Sequence, residues 1–384
     1  MPHLAQLLLL ASFIATTSTA ADPRNGTLPA DVSEAGKAAL SADPDPAPKI
    51  ALDDGPYLRR MPNGIEARWI CDGTVVRRVI PSSTQPVLVQ PACGYDKAIR
   101  VDPKPAADAS VLPVGITRLV ALSDVHGQYD LMTRLLQANG IIDGNRDWAW
   151  GNGHLVMTGD LFDRGEHVTE AFWLLYGLDQ QARAAGGGMH FLVGNHEAMV
   201  LQGDLRYVHE KYLASVALLG QSYPELHGED SVLGQWLRSK SVLLQVGEVF
   251  FVHGGIHDTY LALGLSLEQA NDLYRASLGR SRAETKQDPV LSVLYDGKLG
   301  PLWYRGYFVA PTLDKAQVDA IASRLGVSHI VVGHTSMEAV ESHFDGTVLA
   351  IDSSIKEGQS GELLFIENGV MSRGTLTGER IALP

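Results

Sequence analysis

Leu119-Val-Ala-Leu-Ser-Asp124-Val-His126-Gly127 is an apolar, strand-like run that stops at an aspartate, a histidine and a glycine. The same pattern recurs in Leu155-Val-Met-Thr-Gly-Asp160, Phe191-Leu-Val-Gly-Asn195-His196-Glu197, Val249-Phe-Phe-Val-His253-Gly-Gly255 and Ile330-Val-Val-Gly-His334. One apolar strand is ordinary core. Five that each deliver Asp, Asn or His at the carboxyl end imply one crevice lined by oxygen and nitrogen donors.

Between these runs the apolar period changes to three and four. Tyr129 to Asn139 reads as a helix stopped by Gly140, and residues 170–185 and 313–325 read the same way. Residues 198–219 and 225–239 are expected to form two further helices, inserted between the third and fourth strands. Alternation of strand and helix predicts an α/β domain over residues 114–370 with a central sheet. Ligands of such folds gather outside the carboxyl ends of the strands. Residues 371–384 read as a C-terminal tail.

Ahead of this domain the composition shifts twice. Residues 1–20 have a short apolar core (Leu7 to Ala15) and small residues at Ser18 and Ala20, the pattern of a cleaved export signal. Residues 21–53, rich in Ala, Pro, Asp and Gly, read as a flexible linker. Residues 54–101 form a small β-rich segment, with short pieces over 64–70, 74–80 and 86–90. A Pro/Ala stretch over 102–113 closes it off. Cys71 and Cys93 are the two cysteines of the chain. Neither belongs to a Cys-x-x-Cys pair, so a thiolate zinc site is unsupported. In an exported chain they are expected to form one disulfide, stabilising by about 3 kcal/mol.

The 384 residues, 45% apolar and 20% charged, are those of a globular protein. A net charge of −13 argues against a general nucleic-acid binder, which carries a basic footprint. No stretch beyond the leader approaches about eighteen uninterrupted apolar residues, so no membrane association is expected after signal cleavage.

Asp124, His126, Asp160, Asn195, His253 and His334 together offer carboxylate, amide and imidazole donors. That mixture suits borderline first-row cations (Mn, Fe, Zn) better than calcium, which takes oxygens. Six protein ligands are too many for one catalytic metal with an open position. They fit two divalent ions about 3.5 to 4 Å apart that share a carboxylate, an arrangement suited to phosphoester hydrolysis.

Asp124-Val-His126-Gly127, Gly159-Asp160-Leu-Phe-Asp163-Arg164-Gly165, Gly194-Asn195-His196-Glu197 and His253-Gly-Gly255 resemble, in order, the signature blocks of the phosphoprotein phosphatase family of metallophosphoesterases, with Gly333-His334 supplying the last ligand. Within it the chain resembles the bacterial Shewanella-like phosphatases, through Gly300-Pro-Leu-Trp-Tyr-Arg305-Gly-Tyr307 and Gly203-Asp-Leu-Arg-Tyr207. The resemblance implies the calcineurin-like fold, a β-sandwich core flanked by helices. It implies that Asp124 and His126 hold the first metal, that Asp160 bridges, and that Asn195, His253 and His334 hold the second. It further implies direct attack by a metal-bridging hydroxide, with His196, oriented by Asp163, protonating the leaving oxygen and with Arg164 and Arg305 clamping the phosphoryl oxygens. The expected substrate is a phosphorylated protein, phosphotyrosine included, or a small phosphomonoester.

Ala350-Ile-Asp-Ser-Ser354 replaces the carboxyl-terminal motif of the eukaryotic serine/threonine phosphatases, which puts that specificity in doubt. A dinucleoside polyphosphate hydrolase is the competing enzymatic reading, and a non-catalytic metal-binding protein the competing class. Glu197 reads as a partner of the ligands or as part of a helix start. His209, His227 and His257 read as bystanders, and Trp303, Tyr304 and Tyr307 as packing that positions Arg305, with an apolar wall for an aromatic leaving group as the other use.

Overall fold

The structure is a computed structural model and describes residues 51–82 and 86–383. The expected leader at 1–20, and the linker up to residue 50, lie outside the described residues. The strands in chain order are β1 (Asp54–Met61), β2 (Gly64–Cys71), β3 (Thr74–Pro81), β4 (Val87–Val89), β5 (Ile99–Val101), β6 (Val111–Leu112), β7 (Arg118–Leu122), β8 (His154–Met157) and β9 (Gly188–Phe191). They continue as β10 (Leu243–Val246), β11 (Val249–Val252), β12 (His329–Val332), β13 (Glu341–His343), β14 (Val348–Ala350), β15 (Leu363–Glu367), β16 (Val370–Gly374) and β17 (Arg380–Ala382). The helices include α1 (Tyr129–Ala138), α2 (Val168–Ala184), α3 (Asn195–Leu201), α4 (Glu210–Leu219), α5 (Tyr223–Leu226), α6 (Val232–Leu237) and, later in the chain, Lys315–Leu325.

The five strands that end in Asp, Asn or His do not share one central sheet. β7, β8 and β9 run parallel in a six-stranded sheet of order β17-β16-β15-β7-β8-β9. β11 and β12 run parallel in a second, of order β13-β14-β12-β11-β10-β6. Side-chain alternation shows why both are apolar throughout. In β7, Leu119 and Ala121 pack with Phe251, Val331 and Leu349 of the second sheet, whereas Val120 and Leu122 pack with Met132 and Leu135 of α1. In β11, Val249 and Phe251 face the first sheet, and Phe250 and Val252 pack with Val318 and Ile321 of the helix Lys315–Leu325. A strand covered on both faces reads as a continuous apolar run. The result is a β-sandwich flanked by helices, as the resemblance implies.

Three other expectations are corrected. Residues 198–219 and 225–239 are not two helices but parts of four. The first region breaks at Gly203 (φ 85°) into α3 and α4, and the second breaks after α5, where Ser231 caps α6 by accepting from the Gly234 amide. A glycine and a serine cap each favour ending or restarting a helix over continuing it. Residues 371–384 are no loose tail, since β16 and β17 extend the first sheet. Within the Pro/Ala stretch, Val111 and Leu112 form β6, paired parallel with β10.

β1, β2 and β3 make an antiparallel meander, and β4 pairs with β5. Tyr57, Leu58 and Trp69 share a core with Trp173, Tyr176 and Trp236 of α2 and α6. The Trp173 indole N–H donates to Pro56 O at 2.9 Å. Cys71 and Cys93 are joined by a disulfide across a separation of 22 residues.

Candidate dimetal site

Both sheets send their strand ends to one place. Asp124, His126, Asp160, Asn195, His253 and His334 are all buried there, each less than a tenth exposed. Asp160 lies between two histidine groups. Its Oδ2 is 3.6 Å from His126 Nε2 and 3.8 Å from His196 Nε2 on one side, and 3.2 Å from His253 Nε2 on the other. Asp124 Oδ1 is 3.8 Å from His126 Nε2, and Asn195 Oδ1 is 2.8 Å from His253 Nε2. His334 Nδ1 is 3.2 Å from His253 Nε2.

The backbone is bent to make this convergence. Asp124, His126, Asp160, Asp163, Arg164 and His334 all adopt left-handed conformations, with φ between 46° and 73°. Such residues each cost about 1–3 kcal/mol and concentrate at functional sites. Close approach also explains two glycines. A Cβ on Gly194 would sit 2.2 Å from Asp160 Oδ1, and one on Gly333 would sit 2.0 Å from Ser123 Oγ.

Hydrogen bonds at the far ring nitrogens determine what the site can hold. His126 Nδ1 lies 2.7 Å from Phe162 O, and His253 Nδ1 lies 2.8 Å from Thr158 O. A carbonyl only accepts, so each Nδ1 carries a proton, and each Nε2 turns toward the Asp160 carboxylate with room for a proton or a cation to act between them. Acceptors facing acceptors in a buried space require positive charge between them. Metal-ligating histidines are held in this way, by donating the other N–H to a carbonyl. The groups His126–Asp160–His196 and Asp160–His253–His334 each offer ligand atoms within 4.8 Å of one another. The donor set therefore fits divalent cations on either side of Asp160.

Ionisation reflects the same demand. Burial would depress the His253 imidazole, but Asp160 overrides it and carries the pKa to about 9. Burial, then Asp352, raises Asp124 to about 7. His196 donates from Nδ1 to Asp163 Oδ2 at 2.5 Å, and Asp160 and Asp163 raise its pKa against the opposing effect of burial. Arg305 donates to His334 O at 2.6 Å and to Thr335 Oγ1 at 3.3 Å. Arg164 stands over the ring of Tyr207 with its backbone N–H on Tyr207 O at 2.9 Å.

Glu197 is built into the site rather than merely starting a helix. Its carboxylate accepts from the amides of Asp160, Leu161 and Gly194 at 2.8 Å each, and of Phe162 at 3.2 Å. His209 and His257 cap helices, and His227 is buried against Phe162 and Tyr223. Tyr304 and Tyr307 are buried against Gly255, with Tyr307 Oη accepting from Ile256 N, so they serve as packing. Two residues of the site lie in blocks that the sequence reading quotes without giving them a role there. Asp352 is fully buried, accepting from Ser336 Oγ at 2.6 Å. Its signal was present, because β14 is a sixth strand followed closely by a carboxylate. Tyr207 lies tilted beside His196, with ring centroids 5.3 Å apart.

Residues 117–337 match the calcineurin-like phosphoesterase family. The chain belongs to that family. This phosphoesterase is accordingly a metal-dependent hydrolase of phosphate monoesters. It is 45% identical to the cold-active protein-tyrosine phosphatase of a psychrophilic Shewanella species, whose structure superposes with a TM-score of 0.82 over 86% of this chain and 99% of that one. It is 30% identical over 259 residues to an uncharacterized protein of Schizosaccharomyces pombe, covering 64% of this chain and 75% of the relative. It is also 24% identical over 287 residues to Shewanella-like protein phosphatase 2 of Arabidopsis thaliana, covering 63% and 72%.

Proposed function

We propose that this phosphoesterase is an exported phosphoprotein phosphatase with a preference for phosphotyrosine. The observation that carries the reading is Asp160, a buried carboxylate facing two separately anchored histidines within a ring of Asp, Asn and His donors. In this reading Asp124 and His126 would hold one divalent cation, Asn195, His253 and His334 would hold another, and Asp160 would serve both. Two such cations supply an acidified water and neutralise charge on the phosphoryl group.

The remaining roles fall to side chains. His196, kept protonated by Asp160 and Asp163 against burial, gives its proton to the leaving oxygen as the P–O bond breaks. Arg164 and Arg305 bind the other phosphoryl oxygens, a task suited to planar forks of donors. Arg305 is held for this by the His334 carbonyl. The substrate class is supported by the 45% identity to a protein whose described activity is on phosphotyrosine. Export is supported by the leader-like residues 1–20 and agrees with the disulfide.

Purified protein reconstituted with Mn is expected to hydrolyse phosphotyrosyl peptides faster than phosphoseryl peptides, and both faster than a dinucleoside tetraphosphate. Asp160→Asn is expected to abolish this activity together with metal binding. A metal-loaded protein that turns over no phosphopeptide would refute the reading. Export is tested separately: protein recovered outside the cytoplasm should begin at residue 21.

A further inference from the structure

We propose that Tyr207 sets the specificity of this site, its ring forming the wall against which an aromatic leaving group lies. The inference rests on the phosphomonoesterase reading with His196 as the acid, and goes beyond it by naming what recognises the substrate.

The loop after α3 presents Tyr207 deliberately. Leu205 and Val208 pack into the main core from either side of it. The Asp204 amide donates to Met199 O at 2.8 Å, and Arg206 grips Asp204 with two bonds of 2.8 and 2.7 Å. Anchored in this way, Tyr207 turns outward and is 44% exposed, against 5% for Tyr304 and 3% for Tyr307. The guanidinium groups of Arg164 and Arg206 lie 5.6 and 5.4 Å from the Tyr207 ring centroid. The ring lies 5.3 Å from the His196 imidazole at an interplanar angle of 51°. The aromatic wall considered for Trp303, Tyr304 and Tyr307 is thus supplied from a different part of the chain.

The chemistry follows from that position. The phosphoryl group must face Asp160 and the arginines, and the leaving oxygen must face His196, which protonates it. An aryl ester carries its ring on that oxygen, within reach of Tyr207. A seryl ester places a saturated methylene there and no ring. Two aromatic rings attract at centroid separations of about 4.5–7 Å in offset or edge-on arrangements. The preference this confers is about 3- to 10-fold in kcat/KM.

The test compares wild type with Tyr207→Phe, Tyr207→Leu and Tyr207→Ala, all loaded with Mn. Substrates are phosphotyrosine and para-nitrophenyl phosphate against phosphoserine, with inorganic phosphate as inhibitor. For Tyr207→Ala and Tyr207→Leu the aryl-to-alkyl ratio of kcat/KM is expected to fall about 3- to 10-fold, mainly through KM. Tyr207→Phe should keep the ratio, and phosphate inhibition should move less than the aryl KM. A ratio unchanged by both truncations overturns the inference. So does a loss shared equally by substrates and phosphate, which would mean that Tyr207 acts only through Arg164. A wild type that turns over no phosphomonoester overturns the parent reading and this one together, whereas turnover with an untouched ratio overturns this one alone.

Discussion

His196 is where ionisation and geometry meet most closely. Burial pulls its pKa down, while Asp160 and the 2.5 Å bond to Asp163 push it up further than burial lowers it. In its proposed role as general acid His196 must be protonated to act, so activity should be lost as pH rises through its pKa. Asp163→Asn removes one of the groups raising that pKa, and the alkaline fall in kcat should therefore move to lower pH. His196→Ala should lower kcat by about 10²- to 10⁴-fold and abolish that limb of the profile. A pH–rate series on phosphotyrosine, whose phenolic leaving group needs the proton, decides both, and an alkaline limb unmoved in Asp163→Asn would remove Asp163 from this role. Gly333 makes a different kind of residue-scale case. An alanine Cβ there would meet Ser123 Oγ at 2.0 Å and Asp124 Oδ2 at 2.7 Å, displacing the pair that lies beside His334. Gly333→Ala is expected to weaken metal affinity about 10- to 100-fold, the usual effect of disturbing the groups that orient ligands. Competition with a chelator measures it directly.

Among elements, the junction of β8 and α3 depends on one side chain. Glu197, in the first turn of α3, gathers four backbone amides from the loop after β8 and from Gly194. These amides belong to turns bent away from any sheet partner, so without the carboxylate they would be buried donors with nothing to bond. Glu197→Ala should destabilise the metal-free protein by about 3 kcal/mol. Glu197→Gln, with one oxygen retained, should lose less. Urea unfolding would reject this account if the alanine variant lost under about 1 kcal/mol. The strands around this junction were legible because burial on two faces leaves an unbroken apolar run that ends sharply. Glu197 itself was half legible: Asn-His-Glu marks a helix start, but nothing in the spacing says which amides will face it. The helices after α3 were misread for a related reason. Apolar residues keep their three-and-four spacing across Gly203, and periodicity cannot register that the chain leaves the helix there to set Leu205 and Val208 inward and Tyr207 outward.

For the molecule as a whole, the convergence of Asp124, His126, Asp160, Asn195, His253 and His334 could be read because strand ends advertise it, whereas the sharing of strands between two sheets could not. That choice depends on crossovers such as Leu192 pairing with Ser241, a bridge that leaves no local trace in composition. The same holds for the stapled segment before the phosphoesterase region. Its β-like pieces and cysteines were evident, but how far it merges with the rest depends on contacts between residues distant in sequence. Tyr57 and Trp69 share one core with Trp173 and Trp236. Asp54, fully buried, accepts from Tyr57 Oη at 2.5 Å and from Ser215 Oγ of α4 at 2.6 Å. A segment joined by both apolar core and buried hydrogen bonds should not melt on its own. Replacing Cys71 and Cys93 with serine frees a loop of 22 residues and should destabilise by about 3 kcal/mol, lowering Tm by roughly 5 °C. Scanning calorimetry should still show one transition, shifted down as a whole. A separate low-temperature transition in the variant would mean that the disulfide, and not the shared core, holds the segment to the catalytic fold.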